Sequence, residues 1–193
     1  MTLYCTHGLP RSGKTTFTRQ WKMREPNRVV VSGDDIRLAI FGQRFNPKIE
    51  DYVQAVKKTM ISALLLSDTD VMHEGTNTTM KSIKEMESIA KEYGVPLVWI
   101  MFETPIDECI RRAIATNQED LIEPIKRMDE QRKESAEYLI KKYSDDGHWI
   151  MGKNSAIVDF CGYRTGNDKT AISITNRCGD QGTKITSLIK VVY

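Results

Sequence analysis

The nine residues GLPRSGKTT at Gly8–Thr16 restrict what this chain can fold into more than any other stretch. GLPRSGKT satisfies G-x-x-x-x-G-K-[ST], a loop that wraps phosphate groups between a strand and a helix. Gly8 and Gly13 let the backbone curl so that successive N–H groups converge on phosphate oxygens. A helix starting near Lys14 adds the positive end of its dipole. The Lys14 ammonium belongs on the β- and γ-phosphates and the Thr15 hydroxyl on Mg²⁺. Arg11, Ser12 and Thr16 complete the lining, with Thr16 near the α-phosphate. Such a loop needs an apolar strand ahead of it, and residues 3–6 supply one. The expected ligand is ATP with Mg²⁺; the GxGxxG of a dinucleotide site is absent.

Strand and helix alternate beyond the loop. A helix is expected over residues 14–23, then a β-branched strand, RVVVS, at 28–32, bounded by Gly33. Residues 34–41 read as a helix stopped at Gly42. A longer one covers 47–66, with Val53, Val56, Met60 and Leu64 at helical spacing. Residues 70–73 give a third strand running into EGTN. An amphipathic helix over 80–93 closes at Gly94, and VPLVWIMF at 95–102 is a strand apolar nearly throughout. Thr104-Pro105 opens a helix to about residue 115. Pro124 sits in the first turn of another reaching 143, with Lys126/Glu130 and Asp129/Lys133 paired along it. This order predicts an α/β fold whose mostly parallel sheet carries helices on both faces.

The texture changes near residue 145. A last strand is expected at 156–161, and 171–176 with 184–192 form a β-hairpin around the turn-rich CGDQGT. The expected division is a core of residues 1–145, with a lid around 112–123, and a small C-terminal β extension at 146–193. Trp149, Phe160, Tyr163 and Tyr193 fill the hairpin's core or stack on bases.

Composition sets the remaining bounds. A chain of 193 residues, 40% apolar and 28% charged, suits one globular domain. No run is apolar enough to cross a bilayer, and the loop follows the first residues too closely for a leader, so a cytoplasmic protein is expected. The four cysteines, scattered without CxxC, read as reduced thiols, and the three histidines form no ligand cluster. Net charge is only +2, yet residues 1–48 hold nine Lys/Arg against three acids. That local excess suits a polyanionic ligand.

Two motifs stand at strand ends, where open α/β sheets gather functional groups. In SGDDIR, Asp34 can accept a proton from an attacking hydroxyl or cap the helix behind it. Arg37, one turn on, can grip an acceptor phosphate, and Asp35 lies beside them. In HEGTNTT, a strand-end carboxylate, Glu74, can act on magnesium through its waters. Thr76 and Asn77 can meet an acceptor or cap the next helix.

GLPRSGKTT, SGDDIR, EGTN and KEYGVPLVWIMFETPIDECIRR, in this order and spacing, resemble the 5′-hydroxyl polynucleotide kinase domain of bacteriophage and RNA-repair enzymes. They are similar also to the zeta-toxin-like group of P-loop kinases. The resemblance covers residues 1–143 and implies a P-loop kinase fold that moves the ATP γ-phosphate to a nucleic-acid 5′-OH. It implies that Lys14 and Thr15 form the ATP/Mg²⁺ pair and that Asp34 is the general base. By the same resemblance Arg37 holds the acceptor phosphate, Asn77 touches the acceptor strand, and Arg112 is a lid arginine on the transferred group. The chain departs from the pattern at Thr116, where the lid usually carries a second basic residue, and at the glycine of EGTN. Arg11, an unusual charge within the loop, is expected to take over part of the lid's work. The DxDGT of a linked phosphatase is absent, so no 3′-phosphatase activity is expected.

The residues leave the acceptor open. A nucleotide, a hydroxymethylated base within DNA or a small metabolite would suit the same chemistry. An NTP-binding switch or a degenerate binding module are the readings from other classes. The first lacks an NKxD element, and the second sits poorly with intact GKT and DDIR.

Overall fold

The computed structural model describes residues 1–43 and 45–143, together with the backbone of 171–177 and 186–192. The elements follow the expected order. β1 (Leu3–His7) leads through the phosphate loop to α1 (Lys14–Met23), then β2 (Arg28–Ser32) and α2 (Gly33–Phe41). A 3₁₀ turn at Pro47–Ile49 precedes α3 (Glu50–Leu66), β3 (Asp70–Glu74), α4 (Met80–Glu92), β4 (Leu97–Phe102) and α5 (Ile106–Ile114). A second turn, Glu119–Leu121, leads into α6 (Ile122–Tyr143), and β5 (Ala171–Arg177) and β6 (Thr186–Val192) complete the set.

The sheet order is β2-β3-β1-β4-β6-β5. β2, β3, β1 and β4 are mutually parallel, with Leu3 level with both Val71 and Leu97. The C-terminal hairpin is an antiparallel β5/β6 pair, and β6 also runs parallel to β4 from Val98/Ser187 to Phe102/Val191. It therefore extends the main sheet rather than standing beside it. The strand expected at 156–161 lies outside the described residues, as do Trp149, Phe160, Tyr163 and Tyr193.

The two-residue period of the strands divides the core between two faces. Leu3, Cys5, Val31, Val71, Leu97, Trp99 and Met101 pack with Val53, Ile61 and Leu65 of α3, Ile83, Met86 and Ile89 of α4, and Leu139 of α6. The alternate positions, Tyr4, Met72, Val98, Ile100 and Phe102, receive Phe17 and Trp21 of α1. Tyr4 meets Trp21, and Phe17 meets Phe102, edge to face. Parallel strands covered on both sides have to be apolar at every position, which is why LVWIMF does not alternate.

Two expectations need correction. Arg28, counted among the nine basic residues of 1–48, is buried, donates from Nη1 to the Trp21 carbonyl at 3.2 Å and lies over the Trp21 ring. It braces α1 against β2 and is not part of a charged surface. Along α6 the ion pairs are spaced by three residues, Lys126–Glu123, Arg132–Asp129 and Lys133–Glu130, instead of the four expected. Helical side chains lean towards the N-terminus, so these cations reach back to the preceding turn.

Gly8 has φ +156°, and a Cβ there would stand 2.8 Å from Phe102 Cβ and 3.0 Å from the Phe102 carbonyl oxygen. The loop can thus pass close to the end of β4 only without a side chain. Gly8→Ala is expected to lower stability by roughly 2 kcal/mol or more, through overpacking and backbone strain together. Urea denaturation reads this directly; an unchanged midpoint would show that the loop and β4 separate freely.

Candidate functional site

The carboxyl ends of β1, β2, β3 and β4 bring the sequence motifs to one edge of the sheet. β1 delivers the phosphate loop. Gly13 caps α1 in the left-handed region at φ 102°, and Arg11 adopts φ 64°. Gly8 N–H donates to the Thr76 carbonyl at 2.9 Å, and Thr104 Oγ1 donates to the Ser12 carbonyl at 2.9 Å. The loop is therefore held from both neighbouring strand ends.

Lys14 is buried, and its ammonium donates to the carbonyls of Gly8 at 3.1 Å and Leu9 at 2.5 Å, with Ser12 Oγ at 3.5 Å. Burial pulls its pKa down to about 8, while the charges of Glu74 and, more weakly, Asp34 pull it back up. A buried cation whose hydrogen bonds go only to neutral oxygens is a strong site for an anion. That donor set fits a polyphosphate.

β3 ends at Glu74, level with Ser32 of β2. Its carboxylate accepts from Thr15 Oγ1 and, at 2.7 Å, from Thr18 Oγ1. A hydroxyl beside a carboxylate at the mouth of a phosphate loop suits Mg²⁺, which keeps phosphate and water ligands and needs few from the protein. Among the described residues, no cluster of three or more His, Cys, Asp or Glu could hold a metal by itself. Thr16 is exposed on the first turn of α1.

Ser32 caps α2, its hydroxyl accepting from the Asp35 N–H, and this sets Asp34 and Asp35 in the first turn. Asp34 is 79% exposed and pairs with Arg37, whose Nη1 donates to Asp34 Oδ1 at 2.7 Å. Arg37 also grips Glu50 with two bonds, Nε at 2.7 Å and Nη2 at 2.6 Å. The hydrogen-bonded Glu50 carboxylate holds the guanidinium pKa above its ordinary value. Glu50 escaped the sequence reading: it lies thirteen residues away, at the start of α3, with no local signal linking it to Arg37.

Arg112 of α5 and Thr116 meet the loop from the other side. Arg112 donates from Nε to Glu108 at 2.6 Å and from Nη1 to the Arg11 carbonyl at 3.2 Å. Arg11 answers with Nη2 on Thr116 Oγ1 at 2.8 Å. Beneath them Leu9 packs with Cys109, Ala113 and Ile125, all fully buried.

Asn77 is placed differently from an acceptor contact. It is buried, at φ 45°, and its Nδ2 donates to the Thr6 carbonyl at 2.7 Å and lies 3.3 Å from His73 Nδ1. Thr6 Oγ1 in turn binds both the carbonyl and the N–H of Gly75. These bonds fix EGTN as a rigid turn, and Thr76 contributes its carbonyl to Gly8. The sequence could not distinguish a buried brace from a contact, because both call for the same polar residue.

His7 and His73 belong to the same interior. His7 Nε2 lies 3.0 Å from Ser135 Oγ, and burial pulls both imidazole pKa values down to about 3. Both rings are neutral in the fold but take protons below about pH 6.5 when unfolded. Their stabilising effect is complete above that pH and is lost as pH falls towards 3. Unfolding free energy should drop by on the order of 3 kcal/mol between pH 7 and pH 5 from this pair. Urea curves at the two pH values measure it, and coincident curves would mean that the rings are hydrated in the fold.

No described helix is long and apolar enough to cross a membrane. No curated protein matches the chain. Among solved structures, one of the Pnkp1/Rnl/Hen1 complex is 32% identical, with TM-score 0.53, over 57% of this chain and 38% of that one. The Pnkp1/Rnl/Hen1 RNA repair complex gives 23% identity and TM-score 0.60 over 80% of this chain and 52% of that one. This chain thus spans 38% and 52% of those two lengths. A Chloroflexus aurantiacus j-10-fl structure shares the fold at 14% identity and TM-score 0.54, over 73% of this chain and 78% of that one. The motifs resemble those of RNA-repair enzymes, and the second of these structures is of an RNA repair complex. Residues 3–137 match the family described as an AAA domain, a span that takes in the phosphate loop, both strand-end motifs and Arg112, and the chain belongs to that family.

Proposed function

We propose that the protein is an ATP-dependent kinase that phosphorylates a hydroxyl of nucleic acid, in the simplest case the 5′-OH of DNA or RNA. The observation that carries this reading is the exposed Asp34 carboxylate, tied to Arg37 in the first turn of α2, two residues beyond Ser32, which is level with Glu74. An NTP switch has no use for such a pair; a kinase does. In the reaction Asp34 takes the proton of the attacking hydroxyl. The hydroxyl oxygen bonds to the γ-phosphorus, the bond from that phosphorus to the β–γ bridging oxygen breaks, and ADP leaves with the electron pair. Lys14 and Arg112 stabilise the negative charge on the transferred group. Mg²⁺, when bound, neutralises charge on the phosphates, and Thr15 with Glu74 would hold it.

Arg37 is the group for an acceptor phosphate. Its described bonds use three of its five N–H groups, leaving one on each terminal nitrogen for a further oxygen. A polymer or oligonucleotide is favoured over a small alcohol by what lies at the end of α2 and on to the first turn of α3. Phe41 packs edge-on against Tyr52 at 5.7 Å, and Phe45 and Tyr52 are exposed. Two helical turns, roughly 10 Å, separate Asp34 from Phe41, a spacing that lets a base near the reacting sugar reach an aromatic face. The likeness to chains of an RNA repair complex supports the same acceptor class.

The test is a panel. Labelled γ-phosphate ATP and Mg²⁺ are supplied with 5′-OH oligonucleotides of DNA and RNA, duplexes bearing hydroxymethylated bases, and nucleosides. Label on the 5′-OH oligonucleotides is expected. Label confined to nucleosides or modified bases would move the acceptor, and label on none, with ATP hydrolysis indifferent to all, would overturn the reading.

A further inference from the structure

The phosphate loop contains a cation of its own. Arg11 lies between Gly8 and Gly13, and at φ 64° it occupies backbone space that glycine takes freely and an arginine adopts only at a cost. Strain of this kind at a ligand loop points to a use for the side chain. Its partner is unusual for the neighbourhood. The guanidinium of Arg37 grips Glu50 and Asp34, and that of Arg112 grips Glu108. Arg11 makes no carboxylate pair among the described residues, and its Nη2 donates to the neutral hydroxyl of Thr116. A guanidinium bonded to a hydroxyl gains much more from a phosphate, which offers full charge and two oxygens in the geometry of its fork.

The backbone ties Arg11 to the lid as well. Arg112 Nη1 binds the Arg11 carbonyl, and Thr116 Oγ1 donates to the Arg112 carbonyl at 2.8 Å. Each arginine therefore holds the other's segment, above the sealed Leu9, Cys109, Ala113 and Ile125 contact. Movement of Arg11 away from Thr116 removes one of these two ties and leaves the apolar contact intact.

We propose that Arg11 is a loop-borne guanidinium for the terminal phosphate of the bound nucleotide, exchanging its bond to Thr116 for that phosphate. It thereby reads triphosphate against diphosphate and places a positive charge where the γ-phosphoryl group is transferred. This rests on the kinase reading for its role in transfer, but its role in binding requires no acceptor.

The test uses the full chain, Mg²⁺, ADP and the non-hydrolysable triphosphate AMPPNP. Arg11→Gly suits the φ of this position, so the variant folds. It should weaken AMPPNP about tenfold or more while changing ADP by less than about twofold, the size expected for one charge-assisted contact. Arg11→Lys should recover part of the difference. Thr116→Val removes the competing bond and should keep or strengthen AMPPNP binding. If Arg11→Gly weakens both nucleotides equally, or if Thr116→Val reproduces its effect, Arg11 only pins the lid and the proposal is overturned. Failure of the acceptor panel would remove the transfer reaction and leave this affinity ratio to decide Arg11 separately.

Discussion

Asp34→Asn is expected to bind ATP within about threefold of the parent and to transfer phosphate about 10²–10⁴-fold more slowly, the range for loss of a general base. The structural cost should be small. The side chain is mostly exposed, an asparagine oxygen can still accept from Arg37 Nη1, and Glu50 keeps the guanidinium in place with its two bonds. Loss of rate with retained binding then reports on proton transfer and not on folding. Single-turnover transfer to whichever acceptor the panel labels, alongside nucleotide titration, separates these quantities. Full activity in Asp34→Asn would remove Asp34 as the base. Asp35→Asn is the companion variant, since Asp35 shares the first turn of α2 and the cap from Ser32.

The second large effect is expected at Lys14. Lys14→Met keeps the length of the side chain in a buried position and removes the ammonium, and kcat/KM for ATP should fall about 10³-fold. The pKa of about 8 adds a signature. Phosphate favours the charged ammonium and raises that pKa on binding, so nucleotide binding takes up a proton above pH 8. AMPPNP affinity should be level below about pH 7 and about tenfold weaker at pH 9, as the uncharged amine accumulates in the free protein. Lys14→Met should abolish this slope. Calorimetric titration in buffers of different ionisation enthalpy measures the proton uptake. A wild-type profile flat to pH 9, or the same slope in Lys14→Met, would assign the proton to another group.

Much of the fold was legible because its signals are local. Strand β2 and helix α1 begin and end where the β-branched run, Gly33 and the loop place them. Helix α2 stops at Gly42, which takes the left-handed conformation a C-cap requires. The hairpin at the C-terminus was readable as a pair, yet its place beside β4 was not, because strand neighbours are chosen by the whole sheet. Arg28 looked like any surface arginine, and only packing shows it stacked over the Trp21 ring.

At the candidate site the same division holds. Spacing within eight residues fixes a phosphate loop, since one short segment supplies its own turn, donors and cation. Which groups that loop then meets is a matter of long-range contact. Arg37 with Glu50, Thr15 with Glu74, and Arg11 with Thr116 join segments 13, 59 and 105 residues apart. The sequence alone determined the alternating α/β order and the anion-binding loop, because periodicity and turn chemistry act between near neighbours. Tertiary structure alone decided that Asn77 braces the interior and that Arg11 reaches Thr116, because partners brought together by burying an apolar core leave no mark in local spacing.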